Sequence, residues 1–110
     1  TLARALTLVG RPGDAVSHYR AALSTRPDWA PALVNLAWLL SAHADAAVRR
    51  PREGLLLAER AVGVTGRRDA TALDVLAVAL AANGRFEAAA ATGGEAATLA
   101  DADGQAGLAA

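Results

Sequence analysis

Two stretches of the chain share one phrase. Gly10-Arg11-Pro12-Gly13-Asp14-Ala15 runs into Val16-Ser17-His18-Tyr19-Arg20-Ala21-Ala22-Leu23, and Gly84-Arg85-Phe86-Glu87-Ala88-Ala89 runs into a second alanine-rich stretch. Each opens on a glycine–arginine turn and places a small alanine five residues after the glycine. Between them, Pro27-Asp28-Trp29-Ala30-Pro31-Ala32-Leu33-Val34-Asn35-Leu36-Ala37-Trp38 reads as a linker entering a new helix. Glycine supplies the backbone freedom that a tight turn requires. Recurrence of turn and helix at this distance implies stacked helix pairs, an architecture that offers a recognition surface sooner than a catalytic cleft.

The spacing of apolar residues supports the same reading. Leu2-Ala3 and Leu36-Ala37 lie 34 positions apart, and Leu36-Ala37 and Leu76-Ala77 lie 40 apart. Around the last two pairs, Leu33, Leu36, Ala37, Leu40 and Leu73, Leu76, Ala77, Leu80 recur at helical spacing. The helices that follow carry Ala15, Tyr19, Ala22, Leu23, then Leu55, Ala58, Ala61, Val62, then Ala89, Gly93, Ala96, Ala97. Small residues at those steps let two helices approach closely. Boundary chemistry agrees. Pro12 and Pro51 suit a first helical turn, Asp28 and Asp69 suit N-caps, and Gly10, Gly66 and Gly84 suit helix ends. These signals predict helices near 1–9, 12–25, 29–43, 51–65, 70–82 and 86–100, with a last partial helix beginning after Asp101 or Asp103. Gly93-Gly94 inside the last full helix predicts fraying or a bend, since each glycine costs about 1 kcal/mol against alanine in a helix interior.

Helix–turn–helix units with a period near 34 residues resemble the tetratricopeptide repeat. Leu36, Ala37 and Leu40, then Leu76, Ala77 and Leu80, look like that family's first-helix pattern. Gly10 and Gly84 match its turn glycine, Ala15 with Tyr19 and Ala22 matches the small–aromatic–small pattern of its second helix, and Pro27 matches the proline that closes a repeat. The resemblance implies an all-α fold of antiparallel helix–turn–helix repeats stacked as a right-handed α-solenoid. It divides a single domain, 1–110, into the second half of a repeat (1–27), a repeat with an insertion near 43–50 (28–68), a repeat (69–100), and the start of a capping helix or next repeat (101–110). The middle unit departs most from the pattern. It is longer by about six residues than a regular unit, has lost its turn glycine, and carries Gly66 where the closing proline would stand. The 43–50 segment reads as a loop or as a helical extension through Ala44–Val48. The phrases around Asn35–Leu40, Arg49-Arg50 and Leu57–Ala61 also look like a variant found in large bacterial repeat proteins, some of which join the repeats to a membrane-embedded or glycosyltransferase-like part.

The resemblance also suggests where a ligand would lie. First helices of such repeats line a concave face, which here would present Val34, Asn35, Trp38 and Ser41, then Asp74, Val78 and Ala81. Trp38 is large and amphipathic, suited either to anchoring a partner or to packing on a neighbouring helix. The Asn35 amide can hold an extended peptide backbone or bond a neighbouring helix end. The family's carboxylate-clamping version needs Lys or Arg at these inner positions, so Val34, Trp38 and Val78 disfavour an acidic C-terminal tail there. Arg49, Arg50 and Arg52 cluster in and after the long segment, and either contact an anion or stand solvated.

Composition excludes several classes. Eleven Lys+Arg, all of them Arg, balance eleven Asp+Glu for a formal net charge of zero, which gives no general attraction to nucleic acid or anionic lipid. Without cysteine there is no disulfide or thiolate metal site, and two histidines, His18 and His43, give no convincing ligand set. No nucleophile–base spacing or phosphate-binding loop is evident, so no catalysis, cofactor or metal is expected. Thr1 in place of Met, with 31 alanines and no Lys, suggests a fragment encoded by a GC-rich bacterial genome. The expected role is a scaffold that binds a protein or peptide segment, with neighbouring repeats or domains of a parent chain as further partners. The alternatives are a spacer or oligomerisation module, and a regulatory or substrate-presenting arm of a larger enzyme such as a glycosyltransferase. The expected compartment is the cytoplasm, or a membrane-anchored parent protein.

Overall fold

In a computed structural model, which describes residues 12–43 and 46–109, the chain is built from helices alone: α1 (Pro12–Thr25), α2 (Ala30–Ala42), α3 (Pro51–Val64), α4 (Ala70–Ala82) and α5 (Phe86–Ala109). No strand occurs among the described residues. The expected helix over 1–9, with its Leu2-Ala3 pair, and the Gly10-Arg11 turn lie outside them. A radius of gyration of 14.2 Å, against about 13 Å for a domain of this length, marks a compact body.

Local chemistry explains most helix ends. Asp69 caps α4: its Oδ1 accepts from the backbone N–H groups of Thr71 at 2.9 Å and Ala72 at 3.4 Å. Gly66 and Gly84 close α3 and α4 with positive φ of 64° and 77°. At each end two N–H groups fold back onto the last turn, Gly66 to Gly63 O and Arg67 to Val62 O, Gly84 to Ala81 O and Arg85 to Leu80 O. That is the paired hydrogen-bond pattern of a Schellman cap, which requires a left-handed residue where the glycines stand. Arg67 also takes a left-handed φ of 58°.

Two boundaries differ from the sequence reading, and one that it left open is decided. Asp28 does not cap α2; Trp29 occupies the N-cap position without a side-chain bond. The Asp28 carboxylate instead accepts from Arg60 Nε and Nη2, both at 2.8 Å, because a long-range guanidinium outcompetes the local N–H groups. The 43–50 segment does not extend α2 as a helix: α2 ends at Ala42 and Ala46–Val48 form a turn, while Ala44 and Asp45 are outside the described residues. Finally, α5 neither breaks at Gly93-Gly94 nor restarts near Asp101 or Asp103 but runs on for 24 residues. A Cβ built at Gly93 would stand 3.9 Å from the Ala77 Cβ, so this part of α5 faces α4, and packing between the two helices offsets the poor helix propensity of glycine.

Helices pack in chain order, α1 on α2, α2 on α3, α3 on α4 and α4 on α5, and α2 also packs directly on α4. The two inner helices are therefore apolar almost all round, as helices surrounded by protein must be. α2 buries Ala32, Leu33, Val34, Leu36, Ala37, Leu39, Leu40 and Ser41, and α4 buries Ala72, Leu73, Val75, Leu76, Ala79 and Leu80. α3 is one-sided, burying Gly54, Leu55, Ala58, Ala61 and Val62. One apolar cluster spans α2 to α5, a second joins α1 to α2 around Tyr19 and Leu36, and Leu23 and Leu57 touch both. Among the described residues three exposed ion pairs join α1, α3, α5 and the linkers: Arg20–Glu53 at 2.8 Å, Arg60–Asp28 at 2.8 Å and Arg67–Glu95 at 2.6 Å. At such exposure solvent screens the pairs, so burial carries the fold and the pairs align it.

Candidate functional site

Because α2 packs on α1, α3 and α4, beyond its first residue only a narrow stripe of it reaches solvent: Pro31, Asn35, Trp38 and Ala42, at steps of four, three and four residues. On α4 the exposed residues are Thr71, Asp74, Val78, Ala81 and Ala82, of which Thr71, Val78 and Ala82 correspond to Pro31, Trp38 and Ala42. Trp38 and Val78 each stand two residues after a buried leucine, Leu36 and Leu76. They are 43% and 36% exposed on two helices that pack on each other. An indole left this open in a small all-helical body is surface that folding has not used. Among the described residues, the half-buried Asn35 amide and the exposed Asp74 carboxylate make no hydrogen bond or ion pair. The four residues Asn35, Trp38, Asp74 and Val78 thus put an indole, an isopropyl group, an unbonded amide and an unbonded carboxylate on the open stripes of α2 and α4.

Two residues expected on this face are not on it. Val34 is buried in the cluster spanning α2 to α5, and Ser41 is 6% exposed. Both turn inward because α2 has three helical neighbours, so its covered arc is wider than that of a helix packed on one side. Ser41 Oγ points at the α3 backbone beside Gly54 and has no hydrogen-bond partner among the described residues.

The arginines separate by what they touch. Arg50 does not stand as a free cation: its Nη1 donates to Ala47 O at 3.0 Å and Arg49 O at 2.8 Å, and its backbone N–H donates to Leu40 O at 2.7 Å. It ties the 46–50 turn to the end of α2, a structural role that its sequence position did not reveal. Arg49 and Arg52 are exposed. Arg26 lies over the Trp29 ring, 4.9 Å from its centroid, and Trp29 packs on the cluster between α1 and α2. Arg67 donates to both Glu95 oxygens, at 3.1 and 2.6 Å; hydrogen bonding to the guanidinium holds the Glu95 carboxyl below its ordinary range against a smaller opposing effect of desolvation.

Among the described residues no group of three or more His, Asp or Glu is placed to hold a metal ion, and no helix is long and apolar enough to cross a membrane. His18 is exposed on α1 and His43 is half-buried at the end of α2. Sequence reasoning missed the exposed Leu56 and Phe86 and the surface concavity lined by Arg52, Leu55, Leu56, Glu59, Asn83 and Arg85. A signal was present, since Leu56 follows Arg52 by one helical turn on the polar side of α3. No protein-family model matches the chain, and no characterised protein matches it in sequence.

Proposed function

We propose that the chain is a segment of a tetratricopeptide-like array, a right-handed solenoid of helix pairs, whose exposed first-helix face holds a protein or peptide segment. The observation that carries this reading is the exposure of Trp38 and Val78 at corresponding positions of two helices packed on each other. Supporting it, α2 and α4 pair with α3 and α5 through turns, and they also meet directly, as first helices of stacked repeats do. An extended segment laid across this face would cover the indole and the valine while its backbone bonded the Asn35 amide. Asp74 would favour a basic or amine-bearing residue nearby.

The test is selection of binding peptides from a random library, followed by mapping of backbone amide shifts. The reading expects the largest shifts at the Trp38 indole N–H and at the amides around Asn35, Asp74 and Val78. Shifts confined to the outer face of α3, α5 or the chain ends would overturn it.

A second reading rests on α5, which turns Ala88, Ala90, Ala91, Gly94 and Ala97 to solvent. Such small residues accept a neighbouring helix at close range, as stacking between repeats requires. In that reading the module spaces and docks adjoining repeats, and sedimentation of the chain at rising concentration tests whether copies associate through this face.

A further inference from the structure

Asn83 donates its side-chain N–H to Pro51 O at 2.9 Å and to Ala79 O at 2.8 Å, which fastens the α4–α5 turn against the first residues of α3. The turn's Arg85 and the helix's Arg52 then line one concavity of about 500 Å³ together with Leu55, Leu56, Glu59 and Asn83. Along α3 the lining follows a fixed order: a cation at Arg52, the two leucines, then the Glu59 carboxylate. Leu56 is 68% exposed, and Phe86, directly after Arg85, is 69% exposed. Among the described residues three other arginines are matched with carboxylates, in Arg20–Glu53, Arg60–Asp28 and Arg67–Glu95. Among the described residues, Arg52, Arg85 and Glu59 have no such partner.

We propose that this groove is a docking site for a peptide segment in which one or two carboxylates precede an aliphatic or aromatic side chain. Charge complementarity fixes its polarity. The carboxylates meet Arg52 and Arg85 at the start of α3, and the apolar side chain covers Leu55 and Leu56. Guanidinium groups favour carboxylates through paired, charge-assisted hydrogen bonds. A compact anion such as phosphate would leave Leu56 uncovered and would meet Glu59 with no cation of its own. The site involves neither Trp38 nor Val78 and stands independently of the first-helix face.

Two fluorescein-labelled peptides on the intact chain test it by anisotropy: Asp-Glu-Leu-Phe-Gly, and the same peptide with Asn-Gln in place of Asp-Glu. The acidic peptide should bind, with affinity falling as salt rises, and the amide version should bind about tenfold more weakly. The double variant R52E/R85E should lose the acidic peptide, while W38A should retain it. L56S, which alters only an exposed side chain, should weaken both peptides and decides the matter if helicity shows that the double variant does not fold. Inorganic phosphate and vesicles of phosphatidylserine with phosphatidylcholine should not compete. Equal binding of the two peptides, full binding by R52E/R85E or L56S, loss in W38A, or competition by phosphate or vesicles would each overturn the proposal, as would no binding of the acidic peptide.

Discussion

Gly54 is where α2 and α3 come closest, and replacing it by alanine tests that approach directly. A Cβ at residue 54 would overlap Ser41 Oγ and lie 3.2 Å from Ala37 O and 3.4 Å from Ser41 N. Alanine gains up to about 1 kcal/mol in helix propensity over glycine. Against that, forcing extra volume between packed helices costs about 1–3 kcal/mol, and backbone atoms on α2 cannot swing aside as a flexible side chain would. G54A should therefore destabilise the chain, by up to about 2 kcal/mol once the propensity gain is subtracted. Two glycines of the same chain serve as controls: a Cβ at Gly63 or Gly94 meets nothing within 4 Å. G63A and G94A should each leave stability unchanged or raise it by up to about 1 kcal/mol. S41A removes a buried hydroxyl that has no partner, so it should be neutral or stabilising. Combined with G54A it should recover part of the loss, giving a coupling of about 1 kcal/mol. Urea unfolding followed by helical circular dichroism measures all five variants beside the parent chain. If G54A proves as stable as G63A, or if S41A restores nothing, the close crossing of α2 and α3 is wrong.

Other expectations follow from single contacts. D69A removes the cap of α4 and should cost about 1 kcal/mol by the same unfolding assay. L36D places a carboxylate at a site 1% exposed between α1 and α2 and should abolish the cooperative transition; a variant with unaltered helicity and melting point would refute the core assignment. Glu95 is held below the ordinary carboxylate range by Arg67, so its contribution to stability is fully present above that range and disappears as pH falls through the lowered value. The stability difference between the parent chain and E95Q should accordingly shrink on acidification, and a difference that widened toward acid would contradict the pairing.

What could be read from the sequence was what neighbours along the chain decide. The Asp69 cap, the Pro51 start, and the Gly66 and Gly84 stops each depend on groups within one or two helical turns. The repeating leucines of α2 and α4 reveal their burial for the same reason. What could not be read depends on partners distant in sequence. Asp28 looks like a cap until Arg60, 32 residues on, takes its carboxylate. Val34 and Ser41 look like face residues until α2 proves to have neighbours on three sides. The glycine pair at 93–94 looks like a break until α5 proves to pack along α4. Arg50 looks like a free cation until its own loop folds carbonyls onto it. The candidate face divides similarly. Asn35, Trp38, Asp74 and Val78 lie on exposed stripes that helical spacing alone suggests, whereas the groove at Arg52 and Arg85 is lined from two elements distant in sequence, which Asn83 fastens together.

The measurement that bears most directly on the proposed role is the affinity of a library-selected peptide for W38A, set beside the parent chain in a calorimetric titration with helicity checked in parallel. An exposed, half-covered indole that anchors a partner contributes as interface hot spots do, so W38A should bind roughly tenfold or more weakly at unchanged helicity. R52E/R85E should bind that same peptide as the parent chain does. Undiminished affinity in a folded W38A would contradict the assignment of the first-helix face as the binding surface.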